Sequence, residues 1–558
     1  VNKNKKKSTR KVLVAAAWPY ANGSLHLGHI VGLIGSDILA RFFRQKGAEV
    51  LFVSGSDCHG TPIVFEAEKQ GVEPAEIAQK YHQEFKKTLF DGLSFSYDNY
   101  SKTTSKVHQE TVQEIFLKLY KKGWIYKKSQ ELPYCEKCQR FLPDRYIEGE
   151  CPICHFDSAR GDQCDNCGNL LDASQLIKPR CKICGSAPVW KESEHFFLKL
   201  AGLEDRLKRW VKQSKGWRPN ARNFTLKLLE KGLKDRAITR DTLWGVPIPL
   251  EGYETKRIYV WFEAVCGYLS ASREWAEKKG KTEKWKDFWT NKEALHYYVH
   301  GKDNIPFHTI IWPAILLGSG NYHLPDRIIS SEYLTLEGKQ FSKSRQWAVW
   351  LPKFLEDFDG ELARYFLIAN GAETADADFS WKEFELKINN ELIGNFGNFV
   401  FRVLSFVDRN FKAGLKFPAK TSQDQKQFLK LVEETFSLAG ELVEKGEFKK
   451  ALKEIFKIVE FGNRFLEKTA PWEAIKTNLS KTEADLAVAV YVIESLAILI
   501  EPFLPKTSQK ICQMVGLDFK KLNWQPPQKE FLKVNSPQHL FRKIEKEEIE
   551  KQLRLLKK

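Results

Sequence analysis

At 558 residues the chain is too long for one hydrophobic core and divides into several domains. With 42% hydrophobic and 28% charged residues, and no uninterrupted apolar run near the ~20 residues a bilayer demands, composition excludes a membrane protein and points to a soluble globular one, expected in the cytoplasm. A formal charge of +17 suits a polyanionic partner, because clustered Lys and Arg displace counterions from phosphates, although a Lys-rich proteome would give the same figure.

The opening VNKNKKKSTRKVLVAAAW is basic, but its short apolar part runs into WPYANG without a cleavage site, so it reads as a polar leader before a first strand, VLVAAAW. Pro19 keeps Trp18 extended and ANG supplies a turn. Ser24 is then a natural N-cap for a helix, placing His26 and His29 three apart on one face, beside unpaired N–H groups at the positive end of the dipole. Gly28 lies between them and admits a flat base or ribose close to the backbone. Such an anion site at the carboxyl end of a strand is where open α/β sheets bind nucleotides, and GxGxxG and GxxxxGK[ST] are both absent. Standing alone, the segment would read as two partly exposed histidines at a helix start.

EVLFVSGSD follows as a second strand, then helices rich in Glu, Gln and Lys, so Lys11 to about Tyr120 reads as parallel α/β. Cysteine hairpins interrupt this pattern. Of eleven cysteines, eight form four CxxC pairs: Cys135/Cys138, Cys151/Cys154, Cys164/Cys167 and Cys181/Cys184. Two such hairpins complete a tetrahedral four-thiolate zinc site, and four thiolates leave no open position for water, so two structural zincs are expected. Disulfides are disfavoured in a large chain without a secretory signal. Sequential and nested pairings are both open at this point. Cys58, Cys266 and Cys512 read as buried small residues.

The α/β pattern resumes with RIYVWFEAVCGYLS and ALHYYVHGKDNIPFHTIIWPAILLGSG, so the cysteine module is inserted into one α/β domain, over the face of its sheet. Residues 338–345, GKQFSKSR, form a flexible polar segment whose hydroxyls and cations suit a polyphosphate. From about Leu386 apolar residues recur at helical spacing, as in NELIGNFGNFVFRVLSFV, giving an all-helical C-terminal domain.

HLGH and FSKS together resemble the HIGH and KMSKS signatures of class I aminoacyl-tRNA synthetases. PYANGSLHLGH, GSDCHGTP, the four CxxC pairs ahead of SEHFFLKL, YVWFEAVCGY, GKDNIPFH, GNFGNFVFR and APW, in that order over nearly the whole chain, resemble the methionyl-tRNA synthetase family. GKDNIPFH and the doubled cysteine pairs look more like its archaeal and eukaryotic branch than its common bacterial form. The resemblance implies a Rossmann-like parallel-sheet catalytic domain in two halves, residues 1–120 and 241–330. It also implies an inserted connective domain with zinc knuckles at 121–240, a KMSKS-like loop and stem-contact region at 331–385, and an all-α helical-bundle anticodon-binding domain at 386–558.

The reaction it implies is activation of L-methionine by ATP to methionyl-adenylate and pyrophosphate, then transfer to the 3′ end of tRNA(Met), serving translation including initiation. By resemblance His26 and His29 contact the triphosphate, while Lys343, Ser342, Ser344 and Lys339 hold the pyrophosphate alongside Mg²⁺; Gly28 and Asp303 also belong to the ATP site, and Arg240 is a further phosphate ligand. The first lysine of KMSKS falls on Gln340, with Lys339 one place earlier. Trp261, Ala264, Tyr268, Phe307, His308 and Trp312 line or back the methionine pocket, Trp18 and Tyr20 stand at its mouth, and Asp57 takes the ammonium. Trp18 and Val265 depart from the bacterial pattern. Asn398, Arg402 and Trp472 read the CAU anticodon. Single-knuckle relatives keep the inner cysteine set, which favours nesting, and the lack of an added β-barrel favours a monomer. A leucyl, valyl or isoleucyl enzyme would carry a larger editing insertion. A non-catalytic zinc-bearing RNA-binding protein would not need the intact HLGH, Asp57 and SKS segments.

Overall fold

The computed structural model describes residues 9–143, 146–161, 164, 166–167, 171–343 and 346–556. Its centre is a five-stranded sheet of β1 (Lys11–Ala16), β2 (Glu49–Ser56), β3 (Asn99–Lys102), β4 (Leu295–Gly301) and β5 (Arg327–Ser331), in the order β3-β2-β1-β4-β5. Every neighbouring pair is parallel. Strands such as KVLVAA and EVLFVSGS are buried along nearly their whole length, as a sheet covered on both faces requires. Val12, Val14 and Phe52 face one core; Leu13, Ala15, Leu51 and Val53 face the other. Strand order reverses between β1 and β4, so their carboxyl ends flank the crevice where such sheets bind ligands.

The helix after β1 begins later than the Ser24 cap predicts. Leu27–Val31 (α1) has His26 at its N-cap and is followed, after a break at Gly32–Leu33, by Ile34–Gln45 (α2). The reason is a distant strand-like pairing: the Leu27 N–H donates to the Val349 carbonyl at 3.2 Å, and the Leu351 N–H to the Leu25 carbonyl at 2.8 Å. These bonds hold His26 extended and delay the helix to Leu27, against the start that Ser24 would give.

The cysteine-bearing insertion stands on a stalk in which Ile125–Cys135 pairs antiparallel with Val189–Leu198. Beyond it a short hairpin, Thr239–Asp241 with Lys256–Ile258, returns the chain to the sheet. After β5 the helices Trp381–Lys387, Asn398–Asn410, Gln423–Glu444, Phe448–Thr469 and Leu479–Ile500 form the C-terminal bundle, with Leu479–Ile500 buried almost all round. The bundle shares its core with one face of the sheet. A buried ion cluster fastens the two: Asp37 of α2 lies 2.8 Å from Arg364 and 2.9 Å from Arg41, and Arg41 reaches Glu501 at 2.6 Å. No helix among the described residues is long and apolar enough to cross a membrane.

Candidate functional site

HLGH and FSKS meet at the β1 end of the crevice. The His26 ring stacks on His29, centroids 3.7 Å apart, and on its other side on Phe341, at 4.8 Å. Lys343 Nζ donates to Asn22 Oδ1 at 3.1 Å, and the backbones of Ser342 and Trp347 exchange reciprocal 2.9 Å hydrogen bonds. The close fit explains two glycines. A Cβ on Gly28 would sit 3.0 Å from His26 Nδ1, and one on Gly23 would sit 3.3 Å from Lys343 Nζ. Lys339 lies apart, over the Trp347 ring at 5.0 Å, with its neighbour Gln340 paired to Thr335. Ser344 lies outside the described residues.

Electrostatics keep both histidines neutral. Burial, and secondarily the Lys343 ammonium, lowers His26 to about 3; burial, then His26 and Lys343, pushes His29 well below the usual imidazole range. The His26 backbone N–H donates to His29 Nδ1 at 3.1 Å, so the ring proton of His29 sits on Nε2 and is available to donate. The pair thus offers hydrogen-bond donors without charge, and the cation comes from Lys343. With a helix of five residues, the dipole expected at this site is small. Arg240 lies on the return hairpin with its guanidinium 3.7 Å from the Tyr259 ring centroid. Asp303, at the mouth of the crevice after β4, is exposed and accepts from the Tyr333 hydroxyl.

A second group of site residues is an aromatic cluster. Trp261 meets Phe307 edge-on at 5.0 Å, and the Tyr268 hydroxyl lies 2.6 Å from His308 Nε2. His308 Nδ1 lies 2.8 Å from the Asn304 carbonyl, so it carries the ring proton and Nε2 accepts from Tyr268. Trp312 is fully buried behind them and donates to the Tyr298 hydroxyl at 2.9 Å, while Ala264 sits on the turn between Trp261 and Tyr268. Trp18 lies between two glycines: a Cβ on Gly55 or on Gly267 would come within 2.6 and 2.7 Å of its indole. Asp57 directly follows β2 and bridges to Tyr20; burial first, then the Glu263 carboxylate, raises its pKa well above the ordinary range.

The cysteines fall into two clusters, Cys135/Cys138/Cys181/Cys184 and Cys151/Cys154/Cys164/Cys167, the sulfurs of each lying within 4.8 Å of one another. The nested arrangement is therefore the one the chain adopts, because the antiparallel stalk brings the first and last hairpins together. N–H groups point at sulfur, from Cys138 to Cys135 and from Ile153 to Cys151, both at 3.4 Å. Four mutually close sulfurs with such donors fit a thiolate-bound, tetrahedral metal ion.

On the bundle, the Arg402 guanidinium lies 5.2 Å from the Trp472 ring centroid, and Trp472 remains 39% exposed. They border a cavity of about 190 Å³ with Arg409, Phe406 and Pro471. Asn398 is exposed on the same helix as Arg402, one turn before it.

Sequence reasoning missed several partners: Asn22, Phe341, Tyr259, Tyr333 and the buried Glu263 with its two histidines. Asn22 and Phe341 flank the motifs directly, which is the signal that would have found them; the others become visible only once the chain is folded.

Residues 12–404 match the family "tRNA synthetases class I (M)", and residues 418–555 match "Anticodon binding domain of methionyl tRNA ligase". The methionine--tRNA ligase of Bacillus cereus (strain 03BB102) is 47% identical over 548 residues, 98% of this chain and 99% of the relative's. That of Bacillus mycoides (strain KBAB4) is 48% identical over 548 residues, with the same coverage. Mycobacterium tuberculosis methionyl-tRNA synthetase in complex with methionyl-adenylate shares the fold, with a TM-score of 0.79 at 24% identity, over 96% of this chain and 100% of the other. These relatives are bacterial, which gives no support to the archaeal and eukaryotic affinity expected from GKDNIPFH and the doubled pairs. A match of eight residues weighs less than 47% identity across nearly the whole length.

Proposed function

This chain belongs to the class I methionyl-tRNA synthetase family, and from that premise we propose how its residues activate methionine with ATP and charge tRNA. One observation carries the reading: Lys343 and Phe341 of FSKS close on Asn22 and His26 at a sheet switch point, so two segments distant in sequence meet at one place. The methionine carboxylate attacks the α-phosphorus of ATP and pyrophosphate leaves. Such a step depends on positioning and charge stabilisation more than on a general base. His26 and His29 donate hydrogen bonds to the phosphates, and being neutral they do so without competing for the carboxylate. Lys343 neutralises the departing pyrophosphate with Ser342, Ser344 and Mg²⁺ that accompanies ATP, while Arg240 and Asp303 border the same ligand. Lys339 is held over the Trp347 ring and contributes less.

Asp57 receives the amino-acid ammonium. Trp261, Phe307 and Trp312 shape the side-chain pocket with Trp18, Tyr20 and Ala264. Sulfur–aromatic contacts worth roughly 0.3–1.5 kcal/mol each favour a thioether there. Tyr268 and His308 are bonded to each other, which spares the ligand two unpaired polar groups. Homocysteine differs by one methyl, worth ~1–3 kcal/mol, so its rejection is partial. In the bundle, Asn398 and Arg402 address base edges and Trp472 offers a stacking face for the CAU anticodon.

Zn²⁺ is the ion we assign to both cysteine clusters. Fourfold thiolate ligation closes its coordination and makes its contribution one of folding. The decisive experiment is ATP–pyrophosphate exchange with methionine, leucine, isoleucine, valine and cysteine. Exchange driven best by methionine is expected, and a better response to any other would overturn the assignment.

A further inference from the structure

Behind Asp57 lies a buried relay that the pocket residues do not include. Glu263 Oε1 lies 2.8 Å from His59 Nδ1, and its Oε2 lies 3.0 Å from His108 Nε2; Glu263 and His108 are fully buried. His108 Nδ1 in turn lies 2.9 Å from Ser270 Oγ, whose hydroxyl donates to the Gly267 carbonyl at 3.1 Å. The hydrogen-bond geometry favours one arrangement of the protons: a Ser270 hydroxyl that gives its single hydrogen to the Gly267 carbonyl accepts from His108, which places a proton on Nδ1. The contact with Glu263 needs another proton between carboxylate and Nε2. A carboxylate that also accepts from His59 is the better place for negative charge, which leaves both protons on His108.

We propose that His108 is an imidazolium paired with Glu263, and that this pair is a positioning device that limits how far Glu263 raises Asp57, so that Asp57 meets the substrate ammonium as a carboxylate. The inference rests on the reading that Asp57 takes the substrate ammonium. The need for it is electrostatic: the Asp57 side chain accepts from the backbone N–H of His59 at 3.3 Å, the same residue whose ring holds Glu263. Two uncompensated carboxylates so close could not both ionise. The other groups facing the corner are Cys58 and Cys266, both buried thiols, with Lys102 and Arg273 acting on them from β3 and from helix Gly267–Lys278. Trp244 packs edge-on to His59 at 5.3 Å, and Trp18 lies 6.0 Å from His108.

The test is the KM for methionine in ATP–pyrophosphate exchange between about pH 6 and 9, measured for wild type, His108→Gln, His108→Gln/Glu263→Gln and Asp57→Asn. In His108→Gln the bare Glu263 carboxylate pushes Asp57 further up, so the KM inflection moves to higher pH and the neutral-pH KM rises about ten-fold, with the KM for ATP unchanged. Removing Glu263 as well brings the inflection back to or below wild type. An unmoved inflection in His108→Gln overturns the proposal, and so does a double variant as impaired as the single, which would mean a packing role only. Asp57→Asn separates the premise: a wild-type KM there defeats the ammonium reading itself. ¹⁵N-histidine NMR of the full chain supplies a readout independent of activity. At neutral pH His108 should show two protonated ring nitrogens, and one in Glu263→Gln; a singly protonated ring in the wild type overturns the proposal.

Discussion

Lys343 Nζ lies 3.1 Å from Asn22 Oδ1, a hydrogen bond that joins Lys343 to the turn preceding HLGH. Lys343→Gln removes the cation while keeping the bond to Asn22 feasible, so the expected loss falls on the rate. Exchange kcat should drop by about 10²–10³, the cost of one charge-stabilising donor in a transition state. Asn22→Ala leaves the cation but loosens the loop, and should mainly raise the KM for ATP. Equal kcat losses in both variants would show that Lys343 acts as a clasp and not through its charge.

The neutral histidines set the pH behaviour. With His26 lowered to about 3 and His29 well below its usual range, chiefly by burial, neither titrates near neutrality. At saturating methionine and ATP, exchange kcat should therefore lack a histidine inflection near ~6.5. The same depression bears on folding. The unfolded chain binds protons at these histidines below ~6.5 while the folded chain does not, so their contribution to stability is full above that pH and is lost as pH falls towards 3. An inflection near 6.5 that disappears in His26→Asn would show that His26 carries charge in the working enzyme.

What could be read from the sequence was local. CxxC spacing announces metal ligands because two thiolates of one tight turn are neighbours by construction, and HLGH after VLVAAAW announces a strand end. Which hairpins come together could not be derived that way. It depends on the Ile125–Cys135 and Val189–Leu198 stalk, whose pairing joins the first knuckle hairpin to the last. The Ser24 cap failed for a similar reason, since local capping lost to backbone pairing with residues 349–351. Glu263 looked like any acidic residue in YVWFEAVCGY. Its meaning comes from His59 and His108, which only folding brings to it.

Zinc analysis tests the clusters. The intact chain should return about two ions, and Cys151→Ser should lower the count by about one, since three thiolates no longer close the site. Because the Cys135 cluster is built on the stalk, Cys135→Ser should cost more thermal stability than Cys151→Ser, whose cluster is closed within a single excursion of the chain. A thermal midpoint that falls equally in both variants would contradict this hierarchy.

Trp472, 39% exposed beneath Arg402, should matter to tRNA and to nothing upstream of it. Losing one base–aromatic stack, worth about 1–3 kcal/mol, should lower kcat/KM for charging tRNA by roughly ten- to a hundred-fold in Trp472→Ala. Methionine-dependent exchange should stay near wild type. Parallel loss in both assays would place the indole among the packing residues of the bundle.

The glycine facing Trp18 offers the most direct check on the pocket wall. Gly267 has ordinary helical geometry, so its lack of a side chain is explained by the indole, which a Cβ would approach to 2.7 Å. Gly267→Ala should force Trp18 aside at a cost of about 1–3 kcal/mol and raise the KM for methionine, leaving the KM for ATP unaltered. Trp18→Leu removes the clash, so Trp18→Leu/Gly267→Ala should recover stability relative to Gly267→Ala alone. Coupling of this kind between two positions distant in sequence arises only where side chains share space. Additive effects of the two substitutions on methionine KM would mean that Trp18 is not the wall against which the substrate is measured.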